Sequence, residues 1–309
     1  MILAACGGGA PSPPARPAPA PAVTANPPTE AEANAAYKAK QYGKCARTFE
    51  AVAVAVAPGA RKDLLLYSAA CCHALDARPD LALGVLERAA AAGMRNHAEL
   101  RRDPDLATLH GDARWPALIA KVEAAAIAWE QTLKEPALRR ELLAMMKEDQ
   151  DARFEAMRDK DNKVLAEAME AVDRRTTARM KAIITEHGWP GKRLVGEDGT
   201  NAAWVLVQHA DRDPAFQKLC LTKLEPLVAT GEVTAANYGY LFDRIAVAEH
   251  RHQRYGTQFT SEGEPSPMED PANVDARRKA IGLGTMAEYK VLLRAMNSRW
   301  DRRVPRQAK

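Results

Sequence analysis

Acid–proline steps at Asp103-Pro104, Glu135-Pro136 and Asp213-Pro214 each stand just before a stretch whose apolar residues recur every three or four positions. An acidic residue can cap the free N–H groups of a helix start. Proline in the first turn supplies a helical φ where its missing N–H costs nothing. Starts of this kind, followed by helical periodicity rather than strict alternation, leave little room for strands. Composition points the same way, because aromatics are 6% of the chain and alanine is abundant, which favours helix over strand. The reading is an all-α chain.

Its 309 residues suffice for two domains with real cores. The net charge of +4 is slight, with cations and anions interleaved along the helices. Clustered cations would be needed for a nucleic-acid footprint, so no nucleic-acid partner is expected. No window reaches the ~18 consecutive apolar residues of a spanning helix. Cys6, Cys45, Cys71, Cys72 and Cys220 form no Cys-x-x-Cys pair and no zinc-like spacing, so neither a metal nor a cofactor is expected. Cys45 and Cys220 sit on apolar stripes and read as small core hydrophobes. Cys71 and Cys72 point to different faces of one helix and make poor partners for each other.

Leu3-Ala4-Ala5-Cys6, followed by three glycines, resembles the lipobox of bacterial lipoproteins. That resemblance implies a lipidated Cys6, a membrane-surface attachment and a periplasm-facing address in the cell envelope. The Gly/Pro/Ala-rich stretch behind it reads as a semi-extended tether, so residues 1–29 form a leader and tether. The alternative is a disordered tail on a cytoplasmic protein.

Residues 30–125 carry short amphipathic helices separated by tight turns. Cys45, Phe49 and Val52 align with Ala82, Leu86 and Ala89 at an offset of 37 residues. A small, a large and then a small or medium residue at i, i+4, i+7 is how one helix of a hairpin receives its neighbour. The pattern resembles tetratricopeptide repeats that end a repeat group, though with a longer period. Such repeats imply either a groove for a protein or peptide partner or a structural cap on the second half.

Residues 126–309 form the second helical domain. At ~100° per residue, Leu142, Met145, Met146, Asp149 and Arg153 share one face, so Asp149 and Arg153 form an i,i+4 pair on an apolar stripe. Met169, Val172, Thr176, Met180, Ile183 and Ile184 share another face with Asp173 and His187. Residues 191–203 read as a loop before a short, enclosed helix holding Gln208 and His209. Polar groups on surfaces that should be buried call for partners or for a function.

The succession HGWP, LVGEDG, AAWVLVQHAD, YLFDR, Q.YGTQ and VD.RR between about Glu141 and Leu293 resembles an uncharacterised bacterial domain family of unknown function. The resemblance implies importance for Asp149, Gln150, Arg153, His187, Trp189, Gln208, His209, Asp211, Asp243, Arg244, Gln253, Tyr255, Thr257 and Gln258, and brings no established reaction.

From these residues two chemistries stand. One is a pocket for a peptide or small polar ligand lined by Asp149, Arg153, His187, Gln208, His209, Arg244, Gln253, Tyr255, Thr257 and Gln258. The other is a hydrolase-like or lyase-like centre using His209 with Asp243 and Arg244. The bland reading is a satisfied core histidine and buried ion pairs that fix helix register.

Overall fold

The computed structural model describes residues 27–56 and 60–303. Cys6 and its tether up to residue 26 lie outside the described residues, so the lipobox reading stays an expectation. Among the described residues the fold is all-α, with two isolated bridges and no strand. No helix among them is long and apolar enough to cross a membrane. The chain divides into two compact units with the boundary between Ala126 and Ile127.

The first unit begins with α1 (Glu30–Lys38), whose Thr29 and Glu32 close a reciprocal capping box. Next come α2 (Tyr42–Val54), α3 (Ala60–Leu75), α4 (Pro79–Ala91) and the single turn α5 (His97–Leu100). Asp103 caps the 3-10 turn Pro104–Leu109, and α6 (Trp115–Glu130) follows. The helix starts at Trp115, which is itself buried in the core. Each of α1 to α4 packs on the next. Fully buried Ala69 and Ala70 on α3 and Ala82 and Ala89 on α4 permit that close approach. Cys45 is buried as expected, but it is not a free hydrophobe: it forms a disulfide with Cys72, joining α2 to α3. Cys72 points at α2 while Cys71 points away to Asp103, which is the divergence of adjacent helical residues.

The second unit opens with two long helices, α7 (Pro136–Arg158) and α8 (Lys163–His187). Gly188, at φ +70°, ends α8. Then come α9 (Lys192–Gln208), α10 (Pro214–Ala229), α11 (Ala235–Ala248), a long loop, α12 (Val274–Ala280) and α13 (Met286–Arg303). The cap foreseen at Asp213 is made, onto the N–H of Phe216, and Thr234 caps α11 through the N–H of Asn237. One expectation is corrected. Residues 191–203 are not a loop but the first part of α9, broken only at Gly196, where φ is +76°. The broken turn is held by Trp189, whose Nε1 donates to Thr200 Oγ1 (3.1 Å), and by Arg139, whose Nε donates to Asp198 (2.9 Å). Packing on α7 thus restores a helix where local glycine content argued against one.

Candidate functional site

α9 runs through the core of the second unit and delivers His209 at its C-cap. α7 brings Asp149 and Arg153 to the same place, four residues apart on one face, and α8 brings Asp173. Asp149 is buried, with its side chain fully out of solvent. Its Oδ2 lies 2.6 Å from His209 Nδ1 and also accepts from Gln150 Nε2 at 2.9 Å. Arg153 reaches Asp149 Oδ1 at 3.3 Å, Asp173 Oδ1 at 2.6 Å and His209 Nδ1 at 2.8 Å.

One ring nitrogen cannot both accept from Arg153 and donate to Asp149. If Nδ1 were bare, its lone pair would face a carboxylate oxygen across 2.6 Å. We therefore assign the proton to Nδ1, donating to Asp149, with Arg153 held beside it by the two aspartates. Nε2 is then the ring nitrogen engaged by neither Asp149 nor Arg153, and a fifth of the His209 side chain stays exposed. The electrostatics follow from the same contacts. Burial works to raise the Asp149 carboxyl, but the His209 bond and the Arg153 charge outweigh it and hold it below the usual aspartate range. Asp173 goes the other way, pushed up by burial. A buried anion, a fixed imidazole tautomer and a raised neighbouring carboxyl are what acid–base chemistry requires.

Beside this cluster, Asp211 receives Arg244 through two hydrogen bonds, 2.7 and 2.5 Å, and Gln217 through a third at 3.3 Å. Gln217 is buried and also donates to the carbonyls of Val207 and Gln208, tying α10 to the end of α9. Gln208 is buried, and its Nε2 has no hydrogen-bond partner.

The expected partnership of His209 with Asp243 is not made. Asp243 and Arg244 are neighbours on α11 and diverge by ~100°: Arg244 turns outward to Asp211, and Asp243 turns inward to the loop after α11. There its carboxylate accepts from the backbone N–H groups of Arg254 (2.7 Å), Tyr255 (3.1 Å) and Thr257 (3.0 Å) and from Thr257 Oγ1 (3.0 Å). Burial pushes the Asp243 carboxyl up while those four donors pull it down, and burial prevails. Gln253, fully buried, closes the same loop by donating to the carbonyls of Gln258 and Ser266 and accepting from the Gln258 N–H. Gln258 donates in turn to Thr257 Oγ1.

Two arginines that the sequence reading left out of the site complete this clamp. Arg277 donates to the Arg254 carbonyl at 2.8 Å. Arg278, 1% exposed, donates to the carbonyls of Gly284 (2.6 Å) and Tyr255 (2.7 Å), and its guanidinium lies 4.8 Å from the Tyr289 ring centre. Gln253, Tyr255, Thr257 and Gln258 therefore belong to a loop lock, separate from the His209 cluster. His187 is exposed at the end of α8, 3.6 Å from Glu186, and joins neither group.

Residues 136–299, more than half of the chain, match the family described as a family of unknown function (DUF6624). The chain belongs to that family. Both the His209 cluster and the Asp243 loop lock fall inside the DUF6624 domain. No curated protein and no solved structure matches the chain. Asp173 was legible in sequence as a charge on the apolar stripe of α8, four residues from Met169, whose sulfur touches Arg153. No local signal distinguished the carboxylate that meets His209 from the one that clamps the loop.

Proposed function

We propose that the DUF6624 domain holds a proton-transfer centre. In it His209 acts through Nε2 as general base on a small polar molecule, Asp149 fixes the ring, and Asp173 and Arg153 complete the charge balance. The observation that carries this reading is the 2.6 Å contact of His209 Nδ1 with the fully buried Asp149. A hydrolase-like or lyase-like reaction fits such a base, and general-base catalysis contributes roughly 10²–10⁴-fold. The test is a panel of ester, amide and phosphodiester substrates, assayed with the intact chain and with His209→Ala and Asp149→Asn. Turnover that falls at least ~100-fold in both variants supports the reading; turnover indifferent to His209 sinks it. A second reading, binding without turnover, is favoured by the buried, unpartnered Nε2 of Gln208, which would donate to a ligand acceptor.

We also propose that the chain is an envelope lipoprotein attached through Cys6 and facing the periplasm, with its repeat half docking a protein or peptide partner. The Cys45–Cys72 disulfide supports the address, since such bonds persist in oxidising compartments and are rare in the cytosol. Metabolic labelling with palmitate checks it: incorporation that vanishes in Cys6→Ala is expected, and incorporation independent of Cys6 excludes the anchor.

A further inference from the structure

The ring of His209 is held by Asp149, but a ring held at its tip still moves with the backbone that carries it. That backbone lies where a helix is least constrained, because the last carbonyls of a helix have no intrahelical N–H to accept from. His209 is the C-cap of α9. The Val207 carbonyl takes a turn bond from the Ala210 N–H (3.2 Å), whereas among the described residues no backbone N–H donates to the Gln208 carbonyl. A side chain from another helix fills that place. Gln217 of α10, 1% exposed, brings its Nε2 to 3.1 Å from the Val207 carbonyl, 3.2 Å from the Gln208 carbonyl and 3.3 Å from Asp211 Oδ1. One amide nitrogen therefore touches acceptors on both sides of His209.

Three acceptors around one atom settle which way the amide points, since turned over it would set an oxygen against all of them. Gln217 is also fixed from its own side. Its main-chain N–H donates to the Asp213 carbonyl (3.1 Å) in the first turn of α10, which Asp213 caps. Asp211 is held from the far side by the two bonds of Arg244 on α11. Burying a primary amide costs free energy unless it is hydrogen-bonded. Here its Nε2 bonds all go to the segment from Val207 to Asp211 that carries His209.

We infer that Gln217 is the positioning residue of the His209 centre. It fixes the backbone on which the imidazole turns, so that Nδ1 meets Asp149 and Nε2 keeps one direction. Asp149 sets the tip of the ring from α7, and Gln217 sets its root from α10. The consequence for turnover rests on the general-base reading of His209; the consequence for the ring itself does not. A base displaced by about 1 Å loses on the order of 10²-fold in rate.

The test is nitrogen and proton NMR of the His209 ring in the full chain, assigned by the signals that vanish in His209→Ala. Gln217→Met removes the donors at nearly constant volume. Gln217→Asn keeps the amide but draws it back by one methylene, and it carries the test alone should the methionine variant not fold. Both are measured below their melting temperatures. The Nδ1 proton should exchange with water roughly tenfold faster in each, the scale of one lost hydrogen bond, and the ring nitrogens should shift toward a mixture of tautomers. On any substrate the parent turns over, kcat should fall about tenfold to a hundredfold with KM little changed. A glutamine that only packs would lower the melting temperature and leave the ring signals where they are, and that result overturns the inference. Ring signals that move while the parent turns over no substrate keep the positioning and remove the general base. Turnover lost in His209→Ala but kept in the Gln217 variants, with unmoved signals, keeps the base and removes the positioning.

Discussion

Asp149 and Asp243 are both buried acids of the second unit, and they hold their charge by different means. Asp149 is matched by His209 from the end of α9 and by Arg153 one turn along its own helix; Asp243 is matched by the backbone of a single loop. In the folded protein Asp149 titrates below its unfolded value of ~3.9. It therefore contributes stability that is present above that pH and is lost as pH falls through the lower, folded value. Asp211, also held low once Arg244 offsets its burial, adds to the same window. Asp149→Asn should flatten the fall of melting temperature below about pH 4 and cost roughly 3–5 kcal/mol near neutrality, by leaving Arg153 poorly matched. An acid limb identical to that of the parent chain would show that the pair is not formed. Asp243→Ala should instead release the loop: amide exchange at Arg254, Tyr255 and Thr257 rises together, while His209 keeps its tautomer by nitrogen NMR. A changed tautomer would mean that the two clusters are one. The residue types at each cluster could be read from the chain, but their pairing could not. Asp149 and Asp243 are both acids beside an arginine of their own helix, and only the turn of α11 toward its own loop separates their roles.

Among the elements, α9 shows how local and tertiary terms divide the work. Gly196 sits at φ +76°, and a Cβ there would lie 2.6 Å from Trp129 Cη2. Gly196→Ala should therefore destabilise the second unit by about 1–3 kcal/mol, from backbone strain and the clash together. A melting temperature at or above that of the parent would show that the break is not enforced. The glycines of residues 191–203 correctly marked a break and wrongly implied a loop. The helix on either side depends on the Glu135 N–H bond to the Leu194 carbonyl (2.9 Å) and on the Arg139–Asp198 pairing, contacts made at long range in sequence. Caps fared better: Asp103 and Asp213 cap as read, because a cap is a contact between residues two or three apart, although Glu135 before Pro136 makes no side-chain cap bond.

At the scale of the whole molecule, the described residues form two cores, one built from residues between Ala33 and Val122 and the other from residues between Leu138 and Ile245. The disulfide belongs wholly to the first. Calorimetry with and without a reductant should shift the first unit's transition downward, by about 2–4 kcal/mol in stability for a loop closed by cysteines 27 residues apart, and leave the second's in place. A single transition that moves as one body would contradict the division. What the chain alone determined is its helical class and most of its caps, both set by spacing and by interactions within a turn or two. Which carboxylate meets His209, which cysteine meets Cys45 and where α9 resumes were decided by packing. Those contacts join residues from 27 to 60 positions apart, and nothing local in sequence encodes a distance across the core.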